Sequence, residues 1–380
     1  MALNNAVFAS ADHSTSTEDS PYLRYTDSIE VVHVDEERIF SEIASTMRHI
    51  SELIDDRCRH AARSVHAKSH GLLKAELTVM DGLPEPLAQG LFQPGHSYPV
   101  IMRFSTNPGD ILSDSISTPR GLGIKVLGVE GSMLQENEGQ KTQDLVMVNV
   151  KTFPSADSAG FLEGLKLLER HVNDSDAFKQ VVSTAARTAE TVLEAVGTES
   201  AALKGFGHAQ THILGETFFT LVPMRYGDYV AKLCLEPASS NLLDLTDKHV
   251  DTSNGHSALR DAVVDFFRTE EAVWNVKVQL CSDLKTMPIE DASVAWPEDL
   301  IAYQTVGRIV ALPQDAYSLA RRLYVDEVLS FNPWHALQAH RPLGNVMRAR
   351  KKAYAASSQF RHATNGRSTS EPASISELPD

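Results

Sequence analysis

The chain has 380 residues, 42% of them hydrophobic, enough for two average domains or one large one with a substantial core. With 50 acidic and 35 basic side chains its net charge is −15, which argues against nucleic acid or an anionic membrane as the main partner. No run approaches the ~20 apolar residues of a membrane helix.

Residues 1–25, rich in Ser, Thr, Asp and Asn, read as a disordered arm. Residues 26–362 read as one domain, and 363–380 as a disordered tail. The N-terminus lacks the basic and apolar regions of a secretory signal, so the expected setting is cytoplasmic, without membrane insertion. Over residues 36–62, Ile39, Phe40, Ile43, Met47, Ile50, Leu53 and Ile54 recur at three and four residues, the period of an amphipathic helix. Strand-like runs follow at 72–80, 98–104, 122–129 and 144–150, separated by turn residues as in "MDGLPEP" and "STNPGD". Helix is predicted over 158–172 and 177–196. Strands resume at 216–224, 228–236, 272–281 and 303–312, and helices close the chain over 315–331 and 343–358. This order lacks the strand–helix alternation of a doubly wound parallel sheet. The fold class is therefore α+β: an antiparallel eight-stranded β-barrel with helices around it, eight being a number that closes over a core of side chains. Cys58, Cys234 and Cys281 are far apart and form no CxxC pair, which suits buried free thiols rather than a disulfide framework or zinc site.

In "RARKKAY", Arg350 and Tyr354 are four apart and share a helix face. A guanidinium beside a phenol favours the phenolate, a hard ligand for ferric iron and one of the few proximal ligands that haem uses. The same spacing also suits a basic surface helix with a half-buried tyrosine. In "RSVHAKSHG", His66 follows a strand-like Ser64-Val65 and lies between Arg63 and Lys68. It is either a packed core residue or a proton shuttle. Arg63, and Arg103 in "IMRFSTNPGD", offer the planar fork that carboxylates prefer, and Ser105 is placed to fix the tautomer of His66. "HAQTHILGE" spaces His208, His212 and Glu216 by four, a set for non-haem iron or zinc if one helix carried all three; Gly215 and "TFFTLV" argue that the helix has ended.

Read in order, "RSVHAK", "MRFST", "TPRGLGIKV", "DLVMVN", "AWPEDLIAYQTVGRIVAL" and "FNPW" with "MRARKKAY" resemble the motifs of the haem catalase superfamily, over roughly residues 35–361. The resemblance implies ferric haem b as cofactor, Tyr354 as the iron ligand and Arg350 as the group that stabilises its phenolate. It implies His66 as the distal acid–base group, oriented by Ser105. Arg63, Arg103 and Arg361 would bind the haem propionates, and Val65 and Phe161 would pack on the porphyrin. The family's D-L-V-G-N-N run carries a distal asparagine. Here "DLVMVNV" puts Val148 in its place and Asn149 one residue on, which on a strand is the opposite face unless a bulge turns it inward. Asn149 is thus a catalytic candidate and Val148 a pocket candidate. The implied activity is catalase- or peroxidase-type turnover of a small peroxide. Two alternatives stand beside it: rearrangement or dehydration of an organic or fatty-acid hydroperoxide at the same haem, and haem binding without catalysis. A homo-oligomer is left open.

Overall fold

The computed structural model describes residues 20–171, 210–253 and 255–380. Within them the strands are β1 (Ser69–Val79), β2 (Ser97–Thr106), β3 (Arg120–Leu127), β4 (Thr142–Val148), β5 (Phe218–Phe219), β6 (Met224–Tyr226), β7 (Tyr229–Pro237), β8 (Ala272–Leu280) and β9 (Gln304–Ala311). β8 shows why they form a wall. Ala272, Trp274, Val276 and Val278 are buried, while Val273, Asn275 and Lys277 between them are only half-buried. One face therefore lines the core and the other does not.

Neighbouring strands are antiparallel, and the pairing of β5 with β7 closes the sheet. The closed ring runs β5-β4-β3-β2-β1-β9-β8-β7, and β6 is a hairpin partner of β7 outside it. The expected eight-stranded antiparallel barrel is thus present. The split of the predicted strand 216–224 into β5 and β6 is what closes it. The interior is packed rather than hollow: the rings of Phe104, Phe218 and Trp274 meet at 5.7 and 6.0 Å between centroids. Each large side chain buried this way contributes on the order of 2 kcal/mol.

Four longer helices matter for the site: α1 (Glu36–Cys58), α2 (Ser158–His171), α3 (Ala258–Phe267) and α4 (Asn345–Asn365). The periodic face of α1 is buried as expected: Ile39, Phe40, Ile43 and Met47 pack against Leu162 and Leu165 of α2 and Ala349 and Ala353 of α4.

Several expectations need correction. The helix predicted over 315–331 is α-helical only at Leu319–Arg322 and widens into a π turn at Leu323–Val328. The helix predicted over 177–196 lies outside the described residues, as do residues 1–19 of the arm. From Leu23 on, the arm is not loose: Leu23 N–H donates to Cys281 O and Tyr25 N–H to Asp228 O, both at 2.8 Å. The tail also packs. Residues 363–365 end α4, and Leu378 is fully buried against Leu72, Ile101 and Leu127. Its apolar residues, Ile375 and Leu378, are too sparse to stand out in a polar stretch. Cys234 and Cys281 are buried free thiols, and burial pushes both up to about 12. Among the described residues no helix is long and apolar enough to cross a membrane.

Candidate functional site

Two adjoining lobes, of about 400 and about 410 Å³, lie between the barrel wall and α4. Arg63, Val65, Phe331 and Tyr354 line both. The first lobe adds His66, Arg103, Ser105, Gly121, Gly123, Val146 and Met147; the second adds Met47, Ser330, Ala353, Ser357, Ser358 and Arg361. Residues that are far apart in the chain meet here because β2, β3 and β4 are adjacent staves and α4 crosses outside them.

His66 is not on a strand. It precedes β1 in a bend with φ +56°, a left-handed conformation that side chains other than glycine adopt only when the surroundings impose it. Three bonds impose it here. His66 N–H donates to Asn107 O at 2.7 Å, Ala67 N–H to Pro108 O at 3.0 Å, and Arg103 Nη2 to His66 O at 2.8 Å. The imidazole lies close against β3: a Cβ on Gly121 would fall 2.3 Å from its Cε1 and Nδ1. Alternate glycines inside a strand are the sequence signal for such close approach. Gly123 repeats the device, since a Cβ there would fall 2.7 Å from the Phe331 ring.

Ser105 Oγ donates to Gly121 O at 3.3 Å and lies 3.2 Å from His66 Nδ1. A hydroxyl whose one hydrogen is committed accepts from Nδ1–H, which leaves the lone pair of Nε2 free. Burial, and then the positive charges of Arg103, Arg350 and Arg63, pull His66 down to about 3. The imidazole is therefore neutral at neutral pH.

Across the lobes, Arg350 Nη2 donates to Tyr354 Oη at 2.8 Å, and the guanidinium carbon sits 5.1 Å from the ring centre. Tyr354, Ser357, Ser358 and Arg361 follow one face of α4, three and four residues apart. At the rim, Arg63, Arg103 and Arg361 converge on Asp326. Its Oδ1 accepts from Arg63 Nη1 at 3.0 Å and Arg103 Nε at 2.9 Å, Ser69 Oγ donates to its Oδ2 at 2.8 Å, and its carbonyl accepts from Arg361 Nη1 at 2.5 Å. Burial raises the carboxyl of Asp326, but Arg103 and Arg63 outweigh it, and the net direction is down. Asp326 carried no sequence signal, because its partners come from three other segments.

Register decides the question posed by "DLVMVNV". Val148 pairs with Gly121 across β3 and β4 and Val146 with Gly123, so both valines share the face on which His66 and Phe331 lie. The lining of the lobe comes from Val146 and Met147, while Val148 packs with Leu221, Val222 and Met347. Asn149 is a correction. Its Oδ1 accepts from Arg120 N–H at 2.8 Å and its Nδ2 donates to Glu216, which turns the amide away from the lobes. Phe161 is a second correction. It lines neither lobe and meets Phe153 instead, the two rings tilted at 57° with centroids 5.1 Å apart, beside the α1–α2 contact. The remaining expected residues, Arg63, Val65, His66, Arg103, Ser105, Tyr354 and Arg361, line the lobes, and Arg350 stands one helical turn behind Tyr354.

The histidine triplet is not on one helix. His208 lies outside the described residues. His212 caps a single turn at Ile213–Gly215, and Glu216 bonds Thr211 and Asn149. No group of three His, Cys, Asp or Glu among the described residues is arranged to hold a metal.

The same architecture is found in solved catalases. A fungal catalase aligns over 91% of this chain and 66% of its own, with 14% identity and a TM-score of 0.59. Catalase A from Saccharomyces cerevisiae aligns over 90% and 68%, with 16% identity and a TM-score of 0.59. A bacterial catalase aligns over 95% and 67%, with 14% identity and a TM-score of 0.54. The chain spans about two thirds of the length of these proteins. No curated protein matches it. The catalase family profile matches residues 45–368, which include the histidine bend, the arginine rim and the tyrosine helix, and the chain therefore belongs to the catalase family.

Proposed function

We propose that the protein is a haem-dependent oxidoreductase acting on peroxides, with Tyr354 holding the iron and His66 serving as the acid–base group. The observation that carries this reading is the pairing across one pocket of a neutral imidazole with an Arg350-bonded phenol, inside a catalase-family chain. The residues present suit a haem. The two lobes share Arg63, Val65, Phe331 and Tyr354 as lining, and the glycines of β3 leave room for the rings of His66 and Phe331. At the rim, Arg63 and Arg103 bond the carboxylate of Asp326 and Arg361 bonds its backbone carbonyl, and this cluster of three guanidiniums is suited to two propionates. When bound, haem supplies the electrons that break the O–O bond.

The chain's own groups handle the protons. Nε2 of His66, kept unprotonated by the Ser105–Nδ1 bond and by burial, takes the proton from one peroxide oxygen and returns it to the other as that oxygen leaves. Arg350 donates to the phenol oxygen of Tyr354 and fixes its position on α4. Arg103 has two jobs: it bonds Asp326 at the rim and holds the carbonyl of His66.

A second reading keeps the haem and changes the substrate to an organic hydroperoxide. Its support is the apolar side of the first lobe: Val146 and Met147 line it, and the amide of Asn149 is committed elsewhere. Reconstitution with haem followed by absorption spectroscopy tests the cofactor. Dioxygen release from hydrogen peroxide, set against consumption of a lipid hydroperoxide, separates the two substrates. A protein that loads haem fully and turns over neither would leave haem binding alone.

A further inference from the structure

The segment from Leu319 to Phe331 is held between two layers. Its inner side carries Asp326, which gathers Arg63 and Arg103, and Phe331, which lies on Gly123 and lines both lobes. Residues 366–380 cover its outer side. Ser370 N–H donates to Val328 O at 3.4 Å, Tyr324 Oη to Glu377 at 3.2 Å, and Arg321 Nε to Pro379 O at 2.7 Å. Leu378 is fully buried in one cluster with Val325 and Leu329, against which Phe331 also packs.

Glu371 is the polar anchor of this covering. It accepts from Lys125 Nζ at 2.6 Å and from Thr142 Oγ1 at 2.8 Å, and His335 Nε2 lies 3.7 Å away. Lys125 is fully buried and also bonds Asp144 Oδ1 at 2.7 Å. The second oxygen of Asp144 accepts from the backbone N–H of Asn332, next to Phe331, at 2.9 Å, and the Lys125 ammonium stands 5.5 Å from the Phe331 ring centre. One lysine thus ties the tail to the residue pair that ends the pocket wall.

We propose that residues 366–380 are a strap that holds the cofactor-facing segment in place, with Glu371 as its positioning residue; the inference rests on the haem reading above. Because strap and pocket meet through the same short segment, docking of one stabilises the other. Linkage requires the effect to be reciprocal: haem must tighten the strap by the factor by which the strap tightens haem. Glu371→Gln keeps the shape, removes the charge and leaves the Lys125–Asp144 pair to support the barrel. Leu378→Ala weakens the same strap from its apolar end.

The test compares the full chain with and without haem. Hydrogen exchange of the Ser370 and Leu378 amides should slow on haem loading, on the order of tenfold, a coupling within the usual range. Glu371→Gln and, separately, Leu378→Ala should each speed haem transfer to a scavenger protein by a similar factor, with Glu371→Asp recovering part of it. The spectrum of the haem still bound should be that of the wild type. Equal exchange in the two states, or wild-type haem retention in both variants, would overturn the strap while leaving the haem reading intact. A wild-type chain that takes up no haem would overturn both.

Discussion

Gly121→Ala is the sharpest probe of the His66 arrangement. Gly121 has no positive φ, so alanine is unstrained in the backbone and the change acts only through its Cβ. That atom would lie 2.3 Å from two ring atoms of His66 and 3.2 Å from the third. Ordinary carbon contacts begin near ~3.5 Å, so the ring must retreat by about 1 Å. The backbone of His66 cannot follow freely, because Asn107 O and Arg103 hold its N–H and carbonyl. The ring must tilt instead, and the 3.2 Å approach to Ser105 Oγ opens. A misplacement of this size lowers turnover by on the order of 10²-fold. The assay is the initial rate of peroxide consumption by haem-loaded protein, with thermal unfolding and the haem spectrum as controls for folding and loading. A rate within twofold of wild type at full loading would refute the claim that the position of His66 matters to the chemistry.

Other outcomes follow from the same geometry. Tyr354→Phe removes the phenol oxygen and keeps the ring, so haem should be lost or its spectrum shifted; an unchanged spectrum would mean that the iron ligand is another residue. Val148→Asn places an amide on the His66 face of β4 and should raise dioxygen evolution from hydrogen peroxide by up to about 10²-fold, the scale of one well-placed donor. No change would show that the pocket does not need it. Titration provides the last test. The folded-state value for His66 lies below its ordinary 6.5, at about 3, so the unfolded chain binds the proton more readily. The stabilising effect of a neutral His66 is present above pH 6.5 and is lost as pH falls towards 3. Replacing His66 by Gln should flatten the pH dependence of unfolding in that window by up to about 1.4 kcal/mol per unit. Identical slopes in calorimetry would rule this out.

Much of the architecture can be read from residue order. Strand-length apolar runs in two sets of four, set off by turns, lead to an antiparallel barrel, and β5 with β7 closes it. The three- and four-residue period of α1 identifies its buried face. The rim arginines and the Arg350–Tyr354 pair are also legible, because spacing along α4 and the motif wording carry them. Other features depend on partners distant in sequence. The face taken by Val148 and Asn149 follows from cross-strand register with Gly121 and from the carboxylate of Glu216, and a single-residue step on a strand inverts the side. The left-handed bend of His66 exists only because Asn107, Pro108 and Arg103 close over it.

The sequence by itself determined the antiparallel barrel, the buried face of α1 and the principal polar groups of the pocket, Arg63, His66, Arg103, Ser105, Tyr354 and Arg361, since period and local spacing are properties of the chain alone. Only the tertiary structure decided that Asn149 turns outward, that Phe161 packs at a tilt against Phe153, that Asp326 gathers the arginines and that the polar tail lies down on the barrel. Each of these depends on a charge or a surface contributed by a remote segment, and no local pattern records where such a segment will be placed.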